Sequence, residues 1–328
     1  MKEALYWEKS EADKVHCLLC PQDCIISPGG SGRCLVRKNI CGRLYAMNYG
    51  AVSGLALDPI EKKPLRRFYP GAKILSVGSY GCNLRCPFCQ NSDISMADES
   101  AETVFVSPEQ LVQKAEALVP RGNIGIAFTY NEPLVGYEYV RDCSALAKEQ
   151  GLKTVAVTNG MICKEPLLGL LPRIDAMNID LKGFTQRFYD WIGGDLETVK
   201  QTIRLSAERC HVEVTTLVIP GENDGEDEMD AISAWLGAID PEIPLHISRF
   251  FPRYHLLEKG PTPVGTVYRL RGVAVAHAAV DLAPQTGGGL HVVVAVDEDR
   301  RRLRVSGGPL GENGGGSLGR PDLRGREA

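Results

Sequence analysis

The sequence has no excess of basic charge, and this absence narrows the classes of function that the protein could have. The formal net charge of the 328 residues is −4 at neutral pH. Nucleic-acid-binding proteins usually carry basic patches, so we do not expect that function. No apolar run is long enough to cross a bilayer, and the polar, charged N-terminus is unlike a signal peptide. We therefore expect a cytoplasmic protein without a membrane partner.

Cysteine is abundant and clustered. The chain contains 11 cysteines, and its 44% hydrophobic and 24% charged residues are ordinary for a globular protein. Tight cysteine clusters in such a protein favour metal chemistry in a reducing cytoplasm over disulfide bonds. The length suits two average domains or one barrel with an extension.

Three cysteines, Cys82, Cys86 and Cys89, lie within eight residues in a C-x3-C-x2-C pattern. They follow a predicted buried strand, Lys73–Val77, so the loop begins at a strand end. A structural zinc site uses four protein ligands, whereas three cysteines on a four-iron cluster keep one iron open for a substrate or cofactor. On spacing alone, a zinc site with a distant fourth ligand and reduced structural thiols are both alternatives.

The string from Gly81 to Asn91, with Phe88 before its last cysteine, resembles the radical S-adenosylmethionine (SAM) superfamily. Together with the upstream Asp58–Leu65, it is most similar to the pyruvate formate-lyase-activating-enzyme-like branch and to the radical SAM enzyme of the AmmeMemoRadiSam system. The resemblance extends from about Cys17 to about Leu270. It implies that Cys82, Cys86 and Cys89 hold a [4Fe–4S] cluster, that SAM chelates the open iron, and that reductive cleavage gives a 5′-deoxyadenosyl radical.

A second cysteine group precedes this loop in a turn-rich segment that offers little apolar surface, namely Cys17, Cys20, Cys24 and Cys34. A bound metal would supply the missing stabilisation, as zinc or as a second cluster, and plain thiols are the alternative. Cysteines that resemble these four recur in the AmmeMemoRadiSam family. We treat residues 1–66 as a cysteine-rich extension, and we interpret the remaining cysteines as small packing residues, namely Cys41, Cys143, Cys163 and Cys210.

Strand and helix patterns alternate from Lys73 onward. The strand candidates are Ile74–Val77, Ile124–Phe128, Thr154–Val157, Ala176–Ile179, Val212–Val218 and Leu245–Ser248. Helices are predicted from Ser107, which has a capping-box pattern, and near Tyr137–Gln150, Glu197–Arg209 and Glu226–Ala238. Six βα units are too few for an eight-stranded barrel, so we expect a partial α/β barrel over residues 67–270, as in the radical SAM core. A doubly wound sheet is the alternative, although no G-x-G-x-x-G turn supports it.

Polar residues follow the second and third strands, where parallel architectures collect their chemistry. The resemblance implies that Glu132 contacts the amino group of SAM, with Tyr130 and Asn131 in place of the two glycines of the family's Gly-Gly-Glu-Pro motif. Asn159 both donates and accepts, so it suits a ribose or a carboxylate, and Gly160 permits a close backbone approach. On the residues alone, an ordinary turn is the alternative for each.

Further candidates follow the later strands and lie in the cysteine loop. A two-residue period puts Asp180 and Lys182 on one strand face, where an opposite-charge pair is costly unless it is fully paired or binds something. The resemblance implies that both line the SAM site, with Lys182 near the SAM carboxylate, and that His246 contacts SAM. We expect Phe88 to pack on the adenine. A structural ion pair and a core histidine are the alternatives.

The composition changes after Tyr268, because no Phe, Trp, Tyr, cysteine, methionine or lysine follows. Residues 271–328 therefore read as an atypical tail that is partly disordered, chiefly from about Ser306, and in which only Leu290–Val296 is a strand candidate. A reading-frame shift near residue 271 is one hypothesis for this change.

These patterns predict a radical SAM oxidoreductase similar to the formate C-acetyltransferase-activating enzyme, which takes hydrogen from an unidentified substrate, by preference a protein. An activator of a glycyl-radical enzyme is one alternative, and a non-enzymatic zinc-binding interaction protein is another. Expected partners are an electron donor such as flavodoxin or ferredoxin and, from the closer resemblance, Memo-like and AMMECR-type proteins.

Overall fold

The computed structural model describes residues 1–280 and 292–295. The N-terminal region forms short antiparallel strands, in the sheets β1-β6-β5 and β2-β3-β4. Their bounds, with β7, are β1 Lys2–Glu3, β2 Trp7–Lys9, β3 Val15–Cys17, β4 Ile25–Ile26, β5 Arg37–Ile40, β6 Arg43–Ala46 and β7 Ala51–Val52. Short strands suit this region because its frequent turns interrupt any longer pairing.

One eight-stranded sheet organises the rest of the chain. Its strands are β8 Gly54–Pro59, β9 Lys73–Gly78, β11 Asn123–Phe128, β12 Lys153–Thr158, β13 Ala176–Asp180, β14 His211–Val218, β15 Leu245–Arg249 and β16 Val292–Ala295. The spatial order is β16-β15-β14-β13-β12-β11-β9-β8, with β8 antiparallel to β9 and the other neighbours parallel. The six predicted strands and the partial barrel with its N-terminal extension are confirmed.

Helices alternate with the parallel strands along the chain. They are α1 Ser92–Ser95, α2 Pro108–Ala117, α3 Tyr137–Glu149, α4 Lys164–Leu170, α5 Gln186–Ile192, α6 Leu196–Ala207, α7 Glu226–Ile239 and α8 Val264–Val280, and the short strand β10 Val104–Phe105 pairs with β7. The predicted capping box is present at α2, where Ser107 Oγ accepts from Gln110 N at 3.3 Å and Gln110 Oε1 accepts from Ser107 N at 2.9 Å. The short helices α4 and α5 were not predicted, because seven residues make too brief a periodic signal.

Residues 60–68, which we call the floor segment, fill the inner face of the barrel. Ile60, Leu65 and Phe68 are buried there, and their core cluster also includes Ile74, Ala127, Val155 and Ala176 from four neighbouring strands. The side-chain amide of Asn178 donates to Pro64 O at 2.9 Å and closes the segment onto β13. This segment contains most of the Asp58–Leu65 string, so that string supplies the base of the barrel.

The predicted domain limits stay predictions. Strand β8, which falls within residues 1–66, belongs to the main sheet, and α8 continues through residue 270. Strand β16 lies within the strand candidate Leu290–Val296, whereas the disorder predicted from Ser306 lies outside the described residues. Among the described residues, no helix is both long and apolar enough to span a membrane.

Candidate functional site

The cysteine loop leaves the carboxyl end of β9 and packs against the N-terminal extension. Gly81 has a φ of +88°, and a Cβ at this position would lie 2.4 Å from Val36 Cγ1 and 2.7 Å from Cys34 O. The amide of Gln22 donates to Asn83 O at 2.9 Å. A larger residue at position 81 has no room, so the glycine permits the contact between loop and extension.

Two thiols of this loop, those of Cys82 and Cys86, lie in surroundings that disfavour the thiolate. Burial raises the pKa of Cys82 well above its usual value, and the nearby Glu132 adds to the rise. Burial also raises the pKa of Cys86 to about 12, although Lys182 opposes it. Such thiols stay protonated unless a bound metal stabilises the thiolate. Three sulfur donors on one loop therefore fit an iron–sulfur cluster with one open iron.

Glu132 lies beside Cys82 at the end of β11 and is 4% exposed. Its carboxylate accepts from Leu134 N at 3.0 Å, from Thr158 Oγ1 at 2.7 Å and from Asn159 N at 2.7 Å. Burial outweighs these hydrogen bonds and raises its pKa to about 7. A carboxylate held rigidly at this depth is suited to an ammonium partner.

Asn131 has a supporting role that the sequence analysis did not assign. Its side chain accepts from Ser79 N at 3.0 Å and donates to Tyr80 O at 3.0 Å and Gly81 O at 3.1 Å. Tyr130 has a φ of +77°, which is uncommon for a residue with a side chain. Asn131 therefore holds the start of the cysteine loop, while Tyr130 adopts a backbone conformation that is more usual for glycine.

Asn159 follows β12 and reaches the same loop. Its side-chain Nδ2 lies 3.6 Å from Cys82 Sγ and 2.9 Å from Asn83 Oδ1, while its Oδ1 accepts from Met161 N at 2.9 Å. Gly160 has a φ of +73°, the left-handed conformation that glycine allows at this turn. The structure thus joins the ends of β9, β11 and β12 around Cys82.

Asp180 and Lys182 meet at the end of β13, with Lys182 Nζ 2.9 Å from Asp180 Oδ2. Burial favours neutral lysine, but Asp180 and Cys86 raise the pKa of Lys182 above its usual value. The amide of Asn223, from the loop after β14, donates to Lys182 O at 2.8 Å. A carboxylate and an ammonium therefore lie beside Cys86, and Asp180 is close enough to Glu132 to add to the rise of its pKa.

His246 and Phe88 occupy different surroundings. His246 is buried on the inner face of the barrel, where its Nε2 lies 2.5 Å from Glu213 Oε2. Phe88 is buried in an aromatic cluster, with ring centroids 6.2 Å from Phe188 and 5.6 Å from Trp191. Contacts of these two residues with SAM stay predictions.

The four N-terminal cysteines also lie near one another. Burial raises the pKa of Cys20 to about 12, and the neighbouring Cys34 and Cys17 add to the rise. Burial also raises the pKa of Cys24, Cys34 and Cys163, and Cys17 adds to each rise. Of these three, Cys163 was expected to be only a small packing residue. In the part of the chain that the structure describes, no three His, Cys, Asp or Glu side chains converge closely enough to hold a single metal ion.

Comparison with known proteins agrees with this geometry. The family model of the radical SAM superfamily matches residues 76–232. The chain is 42% identical to the uncharacterized protein MJ0808 of Methanocaldococcus jannaschii over an alignment of 278 residues. This alignment covers 84% of this chain and 82% of that protein. It is 22% identical to the pyruvate formate-lyase 1-activating enzyme of Escherichia coli, over 62% of this chain and 83% of that enzyme.

Solved structures share the fold at low identity. A radical SAM methyltransferase from Sphaerobacter thermophilus superposes with a TM-score of 0.52 at 14% identity, over 70% of this chain and 68% of that one. SuiB of Streptococcus suis bound to S-adenosylmethionine gives a TM-score of 0.51 at 12% identity, over 66% of this chain and 48% of that one. With its cysteine loop at the end of the first parallel strand and the matched core behind it, the chain belongs to the radical SAM superfamily.

Proposed function

We propose that this protein is a radical SAM enzyme in which Cys82, Cys86 and Cys89 hold a [4Fe–4S] cluster, and that it abstracts hydrogen from a substrate, by preference a protein. The observation that best supports this proposal is that Glu132 lies beside Cys82, and that Asp180 and Lys182 lie beside Cys86. Glu132 and Lys182 lie near the three-cysteine loop and carry charges that complement the ammonium and the carboxylate of an amino acid. When bound, the cluster and SAM would supply one-electron reductive cleavage and a 5′-deoxyadenosyl radical.

The chain's own residues would bind and orient. Glu132 would accept from the amino group of SAM and Lys182 would pair with its carboxylate, while Asn159 would hold the cluster loop. Because all three lie at strand ends that hydrogen bonds tie together, little reorganisation accompanies binding. The buried loop also limits the access of water and oxygen to the thiolates.

The test is anaerobic reconstitution with iron and sulfide, followed by reduction with dithionite in the presence of SAM. We expect a brown, reducible chromophore and release of 5′-deoxyadenosine, and we expect Cys82→Ala, Cys86→Ala and Cys89→Ala each to abolish that release. Cys41→Ala is the matched control, because this cysteine is exposed and lies outside both groups. Product formation at the parent's rate in any of the three loop variants would contradict the proposal.

The substrate and partners are proposed on the resemblance. The closer resemblance suggests that the protein works with Memo-like and AMMECR-type proteins. The electron donor would be flavodoxin or ferredoxin. The location would be the cytoplasm, where thiols stay reduced. An activator of a glycyl-radical enzyme is the second candidate, supported by the similarity to the activating enzyme of Escherichia coli. Anaerobic crosslinking would separate them by capturing either system proteins or a glycyl-radical enzyme. Zinc without SAM cleavage would instead support the interaction-protein alternative.

We also propose a second metal at Cys17, Cys20, Cys24 and Cys34. Its support is the shared burial of these thiols and an N–H from Arg33 that lies 3.5 Å from Cys24 Sγ. Four thiolates would suit either a tetrahedral zinc ion or a second iron–sulfur cluster. Metal analysis of Cys20→Ala against the parent tests this, and equal iron and zinc contents in the two proteins would refute it.

A further inference from the structure

Glu213 is the most heavily hydrogen-bonded carboxylate on the inner face of the described barrel. It lies on β14 and is fully buried. The backbone N–H of Arg66 lies 2.8 and 2.9 Å from its two oxygens, and that of Arg67 lies 2.8 Å from Oε1. His211 Nε2 lies 2.9 Å from Oε1 and His246 Nε2 lies 2.5 Å from Oε2. One side chain thus connects the floor segment with β14 and β15.

These donors determine the charge of the carboxylate. Burial alone would raise its pKa, but the hydrogen bonds from His211, His246 and the two backbone N–H groups lower the pKa of Glu213 to about 2. Glu213 is therefore ionised near neutral pH and acts only as an acceptor. The Nε2 of His246 must then carry a proton, so Nδ1 is the acceptor atom whenever the ring holds a single proton.

The strand register relates this ring to the candidate SAM site. His246 pairs with Thr215, and Thr215 pairs with Asp180. His246 and Asp180 therefore share one row across the barrel, while Glu213 pairs with Asn178 in the row toward the floor segment. Because Glu213 bonds the His246 ring from the floor-segment side, the orientation of the ring is set before any ligand binds.

We propose that Glu213 is a positioning residue, which holds His246 with Nδ1 as an acceptor toward bound SAM and ties that orientation to the floor segment. The inference rests on the proposed function, since it assigns a partner to a predicted SAM contact. His211 supplies an internal comparison, because it bonds the same carboxylate but lies at the start of β14, stacked on Phe68 with ring centroids 5.6 Å apart.

The first experiment reads the tautomer directly and does not need activity. In protein labelled with 15N-histidine, with His246→Gln to assign its resonances, we expect the singly protonated ring of His246 to be the Nε2–H tautomer. The Nδ1–H tautomer would overturn the inference even if the enzyme cleaves SAM. Absence of SAM cleavage in the reconstituted parent would instead refute the proposed function and leave this result intact.

The second experiment is a double-mutant cycle on SAM cleavage. We expect Glu213→Gln to lower kcat/KM for SAM by about tenfold or more, and Glu213→Gln with His246→Gln to be no worse than His246→Gln alone, because both changes remove one contact. His211→Gln should lower kcat/KM less than Glu213→Gln does, because His246 and the N–H groups of Arg66 and Arg67 still hold the carboxylate. Additive losses, or a His211→Gln defect equal to that of Glu213→Gln, would overturn it. If Glu213→Gln fails to fold, the tautomer measurement on the parent still decides.

Discussion

The side-chain amide of Asn159 lies 3.6 Å from Sγ of Cys82, so a residue that follows the third parallel strand contacts a proposed cluster ligand that follows the first. An N–H donor to a ligand sulfur stabilises the more negative, reduced state of a cluster. Replacing Asn159 by Ala should therefore make the reduction potential more negative. One hydrogen bond of about 1 kcal/mol corresponds to about 40 mV for a one-electron couple.

Redox titration followed by EPR would measure this shift. Asn91→Ala is the control, because Asn91 also lies in the loop but donates to Tyr130 O, at 2.7 Å, and to no thiol. A shift of equal size in both variants would show a general disturbance of the loop and would count against a specific N–H···S contact.

Glu132 should make SAM binding depend on pH. Its pKa of about 7 in the folded chain lies above the usual 4.5, so the carboxylate takes up a proton as the pH falls through 7 and loses its attraction for an ammonium group. We expect KM for SAM to rise as the pH falls from 8 to 6. In Glu132→Ala, the KM should be high at every pH, and an equally steep pH dependence in that variant would assign the effect to another group.

The same shift has a consequence for the ligand-free protein. Because folding raises the pKa of Glu132, the folded state binds more protons than the unfolded state between about pH 4.5 and 7. The contribution of this group to stability is therefore complete below about pH 4.5 and is lost as the pH rises through 7. Urea unfolding of parent and Glu132→Ala at pH 5.5 and 7.5 should show a larger decline with pH in the parent.

Lys182 should govern SAM affinity more than stability. Its Nζ lies 2.9 Å from Asp180 Oδ2, and both side chains are close to Cys86. Loss of a charge-assisted contact of about 2 kcal/mol predicts about a 30-fold rise in KM for SAM in Lys182→Met. Lys200→Met is the matched control, since Lys200 pairs with the exposed Glu197 at 2.6 Å. An unchanged KM in Lys182→Met would remove Lys182 from the SAM site.

The buried ion pair between Arg37 and Glu138 should stabilise the attachment of the N-terminal extension. Both side chains are buried, at 1% and 0% exposure, and Arg37 Nη1 also donates to Leu5 O at 3.0 Å. Arg37→Met leaves a buried carboxylate without its partner, so we expect the free energy of unfolding to fall by about 3–5 kcal/mol.

The exposed pair of Lys2 and Asp142, 3.2 Å apart, provides the comparison. Lys2→Met should change the free energy of unfolding by less than about 1 kcal/mol, because solvent screens the interaction. Equal effects of Arg37→Met and Lys2→Met in urea unfolding would contradict the importance of burial.

The sequence by itself determined the parallel strands, the cysteine loop at the end of the first, and the polar residues at the ends of the others. These features are local, because hydrophobic periodicity and a cysteine spacing can be read within a few residues. The capping box at Ser107 could be predicted for the same reason.

Only the tertiary structure decided which of these residues meet. Arg66 and Glu213 lie 147 positions apart and Arg37 and Glu138 lie 101 apart, yet each pair is in direct contact. Cys163 joins the N-terminal cysteines, and Asn131 supports a loop of another strand. Such contacts arise because folding brings together segments that are distant along the chain, and no pattern within a short stretch of sequence records which segments meet.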